Sequence, residues 1–156
     1  MKGEKGAIKV VAQNRKARHD YHVEEVLEVG LVLSGPEVKS LRAGKASLGE
    51  SYARIREGEL YLLGAHISPY SHARPEIQDP TRTRKLLAHK REIRRLTGKV
   101  KEKGLSLVPL SIYFKAGRAK MELALARGKK AHDKREDIKR REQEREMRKA
   151  LKRPLK

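Results

Sequence analysis

The chain has 156 residues, with 39 Lys and Arg against 20 Asp and Glu, a formal net charge of +19; a compact domain so charged repels itself unless a polyanion neutralises it, and nucleic acid is the polyanion that rewards each phosphate contact with counterion release. Cysteine is absent, which excludes disulfide frameworks and thiol nucleophiles, and the lack of a long apolar run, a signal-peptide core or a lipidation motif argues against a membrane partner and for a cytoplasmic protein. Hydrophobic residues make up 37% and charged residues 38%, against ~45–50% and ~25% in ordinary domains, so either the core is small or the surplus charge sits in a segment without one.

Met1 to Gly6 is short, charged and glycine-containing, and is expected to be disordered. Ile8 to Ala12 is a strand candidate that runs into a basic loop, Asn14 to Tyr21. Val23, Leu27, Val29, Leu31 and Leu33 then recur with a period of two, the pattern of a half-buried strand, with a bulge where Glu25 and Val26 break it. Ser34-Gly35-Pro36 stops the strand and starts a short helix that ends at Gly44. Ser51 to Arg56 and Glu59 to Ile67 read as a hairpin turned by Glu57-Gly58, and the proline-bearing stretch 68–80 as a loop. Asp79 and Pro80 resemble the cap and first residue of a helix, which the spacing of Leu86, His89, Ile93 and Leu96 extends to Gly98. Leu105 to Phe114 and Ala119 to Ala126 form a last hairpin through Ala116-Gly117-Arg118. The folded part, residues 1–128, is therefore expected to be mainly β: about six strands closed into a barrel of the oligonucleotide/oligosaccharide-binding (OB) type with two helices, another small α+β sheet being the alternative.

Character changes at Gly128. Residues 129–156 contain 13 Lys and Arg, 6 Asp and Glu and few large apolar side chains, Ile138, Met147 and Leu151 among them. Such a segment buries too little to offset its ordering entropy, so this basic tail is expected to be disordered alone. It is also rich in helix formers, with Asp133 and Glu136 as a capping pair, and a negative surface would fix it as a helix.

No catalytic pattern is present. The six histidines (19, 22, 66, 72, 89 and 132) form no metal-ligand spacing, and there is no P-loop, dinucleotide fingerprint or nucleophile elbow. The chain is expected to be no enzyme and to need no cofactor or metal. Four segments point instead to RNA. In the first, Arg15, Lys16 and Arg18 suit phosphates, while Asn14 and His19 suit base edges or ribose hydroxyls; Tyr21 is a core-edge or a stacking residue. In the second, Glu37 either complements the helix dipole, orients arginines or accepts from base amino groups, beside Lys39 and Arg42. The third has Arg82, Arg84 and Lys85 at a helix start, with Leu86 in the core and Leu87 placed to pack on a base. The fourth, Gly128 to Arg135, joins body to tail.

These four blocks, Asn14-Arg15-Lys16-Ala17-Arg18-His19-Asp20-Tyr21, Glu37 to Lys45, Asp79 to Leu87 and Gly128 to Arg135, together resemble the signature blocks of the SsrA-binding protein (small protein B, SmpB) family, in the same order. The resemblance implies an OB barrel that binds the tRNA-like domain of transfer-messenger RNA, also called SsrA RNA, and a tail that turns helical in the empty mRNA channel of a stalled ribosome. It thereby implies a cytoplasmic monomer in trans-translation, meeting elongation factor Tu through the shared RNA. By position it assigns Asn14, Glu28, Leu87 and Lys120 to the RNA contact. It assigns Lys129, Lys130, His132, Asp133, Lys134 and Arg135 to the decoding centre, and Lys139 and Arg140 to the start of the mRNA path. The rival on composition alone is a structural ribosomal RNA-binding protein.

Overall fold

The structure, a computed structural model, describes residues 7–70 and 79–152, with the side chains of all of these but 131–133. The expectations for Met1 to Gly6, His72, Pro75, residues 153–156 and the side chains of His132 and Asp133 lie outside the described residues. Among the described residues, nine strands and four helices follow in the order β1 (Ile8–Gln13), α1 (Arg15–Asp20), β2 (Tyr21–Leu31), α2 (Gly35–Arg42), β3 (Ala46–Ser47), β4 (Tyr52–Arg56), β5 (Glu59–Leu63), β6 (His66–Ile67), β7 (Arg84–Leu87), α3 (Lys90–Lys103), β8 (Ser106–Lys115), β9 (Arg118–Gly128) and α4 (Ala131–Lys152).

The fold is mainly β, as the alternating patterns imply. Seven strands form one antiparallel sheet in the order β1-β8-β4-β5-β7-β2-β9, and β8 also pairs with β9. Hydrogen bonding therefore runs from β8 through β4, β5, β7, β2 and β9 back to β8, with β1 added beside β4 on the outer edge of β8. The short β3 and β6 pair separately. Val29, Leu60, Leu62, Met121, Leu123 and Leu125 point into the enclosed core at 0–1% exposure. Burial of each such side chain contributes about 1.5–3 kcal/mol.

Both expected turns are present, the second shorter than expected because Arg118 already belongs to β9: Glu57-Gly58 and Ala116-Gly117 have positive φ throughout (52° and 76°, 51° and 76°), the geometry that matches the twist of the strands they join. The expected irregularity in β2 is a register shift between Val23 and Glu25. The proposed single strand from Glu59 to Ile67 is instead two, because Gly64 turns the chain at φ 78°, where a Cβ would lie 2.9 Å from the Glu50 carbonyl oxygen.

Three expectations about helices are corrected. Asn14 to Tyr21 is not a loop but α1, whose N-terminus Asn14 caps by accepting from Ala17 N–H. The helix read from Asp79 begins only at Lys90: Arg84 and Leu86 are buried while Lys85 and Leu87 are exposed, the two-residue period of strand β7. Leu86 fell on the helical spacing of Ile93 and Leu96 by coincidence. Gly98 does not end the helix either; α3 continues to Lys103 and stops at Gly104, which takes the left-handed conformation at φ 62°. Among the described residues the body therefore has three helices rather than two, and α4 lies in the tail.

α1 lies over the outer face of β8 and β9, where Ala17, Val108, Leu110, Ala124 and Ala126 form a second small core with Tyr21 and Val23 at its edge. Tyr21 is thus a core-edge residue. α4 starts against α1 and then leaves the body: from Lys139 to Lys152 every residue is exposed.

Candidate nucleic-acid interface

The third sequence block closes around a buried charge. Arg84 on β7 is fully buried, and its guanidinium donates to Glu37 Oε2 (2.6 Å) and to the carbonyls of Ala65, Arg82 and Pro80 (2.8, 3.0 and 3.0 Å). Glu37 accepts also from Arg82 (2.5 Å) and from the Ser34 backbone N–H (2.9 Å), while the Ser34 hydroxyl accepts from Glu37 N–H to complete a capping box on α2. Burial raises the affinity of Glu37 for a proton, but the hydrogen bonds from Arg82, Ser34 and Arg84 outweigh it and hold the carboxyl at about 2, below its ordinary 4.5. Of the readings open for Glu37, the structure realises the orienting partner of arginines. Arg84 is corrected from a surface phosphate contact to a structural residue, because nothing of it reaches solvent.

Asn14 is corrected in the same way. Its side chain is buried; the amide donates to the Pro109 carbonyl (2.9 Å) and the Leu48 carbonyl (3.3 Å), and its oxygen caps α1. No group is left to reach a base, so its role is to fix α1 on the sheet. The exposed members of that block, Arg15, Lys16 and Arg18, stand on α1; Lys16 pairs with Glu50 at 3.5 Å and Arg18 with Glu122 at 3.8 Å. His19 Nδ1 lies 3.0 Å from Asp20. On α2, Lys39 sits over the Tyr70 ring and Arg42 over Phe114 (5.3 and 4.4 Å to the centroids). Lys85 faces outward and pairs with Glu59 at 3.4 Å.

Glu28, Leu87 and Lys120, which lie far apart in sequence, meet in one groove of about 730 Å³ between β2, the end of β7, the start of α3 and β9. The register explains the meeting: Gly30 pairs with Leu87 on one side and Lys120 on the other, and Glu28 faces Glu122 across the β2–β9 ladder. Gly30 gives Leu87 room there: a Cβ would lie 3.1 Å from Leu87 Cβ, tighter than an ordinary contact. Leu87 (53% exposed) and Val26 (43%) leave an apolar shelf in solvent. Glu28 accepts from the Tyr113 hydroxyl at 2.5 Å and lies 3.5 Å from Lys115. The Tyr113 hydrogen bond and then the Lys115 charge hold the Glu28 carboxyl below the usual range, while burial and Glu28 together raise Tyr113. Lys120 makes no ion pair among the described residues. His89, the N-cap of α3, offers no side-chain cap, so the positive end of the helix opens on the groove beside it.

Chemically the groove offers an apolar platform for an unstacked base, a fixed carboxylate acceptor for base amino or ribose hydroxyl groups, and an ammonium and a helix terminus for phosphate. Sequence reasoning missed Gly30, His89, Glu25 and Arg95 as parts of it; only Gly30, a glycine within an alternating strand, left a signal. Glu25 is held at about 2 by hydrogen bonds from Arg95 and Lys99 and ties β2 to α3.

The tail root is clamped to α1. The Lys129 ammonium pairs with Asp137 and donates to the Arg18 carbonyl (3.2 Å), and Lys129 N–H donates to the Asp20 carbonyl (2.8 Å). Lys134 reaches Asp20 at 3.4 Å, and Arg140 pairs with Asp137 at 2.7 Å. Lys129 is thereby drawn out of the exposed set (7% of its side chain), whereas Lys130, Arg135, Lys139 and Arg140 face solvent. Among the described residues, no helix is long and apolar enough to cross a membrane.

The family described as SmpB protein matches residues 11–153. The SsrA-binding protein of Pelotomaculum thermopropionicum is 59% identical over 146 residues, 94% of this chain and 95% of that protein; the SsrA-binding protein of Desulforudis audaxviator is 61% identical over 142 residues, 91% and 93% of the two chains. A solved chain described as "tmRNA-SmpB: a journey to the center of the bacterial ribosome" superposes with a TM-score of 0.64 at 57% identity, covering 76% of this chain and 84% of that one.

Proposed function

The chain belongs to the SmpB family, and from that premise we propose that it binds the tRNA-like domain of transfer-messenger RNA and delivers it to stalled ribosomes for trans-translation. The observation that carries this reading is the convergence of Glu28, Leu87 and Lys120 in one groove beside the uncapped start of α3. The closed strand circuit supports an OB-type barrel as the platform, with the groove on its outer face. Elongation factor Tu joins through the shared RNA, in the cytoplasm.

The tail has the complementary role of sensing an empty decoding centre and mRNA channel through Lys130, His132 to Arg135, Lys139 and Arg140. Two turns of α4 are anchored through Asp137 and the remainder packs on nothing, so the helix past Arg140 is marginal alone and gains its order from a phosphate-lined channel. The loss of packing beyond Lys139 supports a division between a body of residues 1–128 and a tail of 129–156 whose first two turns stay anchored to α1.

Lys120→Ala removes a charge-assisted contact of about 1.5–3 kcal/mol, and is expected to weaken binding of the tRNA-like domain roughly tenfold or more. Leu87→Ala removes an exposed apolar platform and is expected to weaken it several-fold without loss of stability, since Leu87 lies outside the core. Equilibrium binding of a labelled tRNA-like domain measures both; unchanged affinity in the two variants contradicts the assignment of the groove.

A further inference from the structure

α3 separates two grooves of different electrostatic character. Ile93 and Leu96 are buried and Val100 packs against them. At 3.6 residues per turn, Glu92, Arg95 and Lys99 line one flank of the helix and Arg94, Thr97 and Lys101 the other. On the first flank the cations are neutralised: Glu25 lies 2.5 Å from Arg95 and 2.9 Å from Lys99, and Glu92 2.8 Å from Arg95. This is the flank facing the Glu28–Leu87–Lys120 groove.

The second flank differs. Arg94 and Lys101 form no ion pair among the described residues, and neither does Arg54 of β4 opposite them. The three line a groove of about 630 Å³ between α3 and the β4–β5 hairpin, over an apolar floor that includes Ile55, Val100 and Leu107. Around Arg54 it continues into a depression of about 390 Å³ that adds Arg56, Tyr61 and Thr83. Among the described residues lining the two, Glu57 is the only carboxylate. Four cations around one carboxylate leave a net positive charge that costs self-repulsion, and a phosphate backbone is the ligand that removes that cost while forking onto each guanidinium.

We propose that this track is a second RNA site, which takes the phosphate backbone of a double-helical RNA segment while the Glu28–Leu87–Lys120 groove holds the tRNA-like domain. A helical rather than an unpaired segment fits because the track offers cations and no exposed aromatic platform: Tyr61 is half-buried, and single-strand binding depends on stacking, whereas A-form helices are recognised by backbone and shape. The protein then bridges two RNA surfaces on either side of α3.

The test uses the full chain saturated with the tRNA-like domain, and a fluorescent RNA duplex of about 20 base pairs, a little longer than the ~16 base pairs a double-stranded-RNA reader spans. The unmodified chain is expected to form a ternary complex. The triple variant R54A/R94A/K101A, all at exposed positions, is expected to bind the duplex at least about fivefold more weakly, with a log–log salt slope flatter by about 2–3 given ~0.9 per phosphate contact, and to hold the tRNA-like domain unchanged. Displacement of the tRNA-like domain by the duplex, a smaller loss of duplex binding (as when the tail alone carries it) or equal loss for both RNAs overturns the proposal, as does a track filled by an acidic protein in place of duplex. If the chain fails to hold the tRNA-like domain at all, the proposed function fails instead, and the duplex titration on the free chain still compares the variant with the original.

Discussion

Arg84→Ala is expected to destabilise the protein by about 3–5 kcal/mol, the cost of leaving a buried charge without its partner. For a chain of this length that lowers the melting temperature by about 6–20 °C, at ~2–4 °C per kcal/mol. The reason is geometric: Glu37 is buried beside Arg84, and three backbone carbonyls lose the guanidinium as a donor, of which Pro80 keeps Ile67 N–H. Arg82→Ala acts on the same carboxylate but from a side chain 43% exposed, and is expected to cost less than about 1 kcal/mol, as surface pairs do. Thermal unfolding of the two variants side by side is the measurement. Similar small shifts for both would mean that the buried pair does not hold α2 to β7.

Ending the chain after Gly128 is expected to leave the body folded and its affinity for the tRNA-like domain nearly unchanged, yet to reduce peptide tagging on stalled ribosomes to background. The body survives because Lys129 and Asp137 pair with each other and are removed together. Asp20 keeps His19 as a neighbour, and the core clusters contain no residue beyond Ala126. Tagging in a reconstituted translation reaction on an mRNA without a stop codon gives the readout. A truncated chain that still supports tagging removes the tail from the mechanism; one that loses RNA binding with it removes the division into body and tail.

The strands were legible where a single periodicity acts alone. Val29 and Leu31, or Met121, Leu123 and Leu125, alternate with polar or small residues over enough length to admit one reading, and the Glu57-Gly58 and Ala116-Gly117 turns fix where the chain reverses. β7 was not legible: four residues long, it supplied one apolar residue, Leu86, at a helical distance from Ile93. The charge of Arg84 was visible but its burial was not, because the carboxylate and carbonyls that receive it come from Glu37, 47 positions away, from Ala65 and from Pro80. Asn14 followed the same logic, since a residue type suited to base edges is equally suited to capping a helix. The groove itself came partly from resemblance: Glu28 and Lys120 carry no local signal, and only the β2–β9 register brings them to one face.

The most direct test of the RNA-recognition claim is a competition, over a series of salt concentrations, between the tRNA-like domain of transfer-messenger RNA and an ordinary elongator tRNA for the full chain. Nonspecific phosphate binding fades steeply with salt, so a preference for the tRNA-like domain that persists as salt rises is the predicted result. Equal binding of the two RNAs, collapsing together with salt, would contradict it and leave only a generic basic RNA binder.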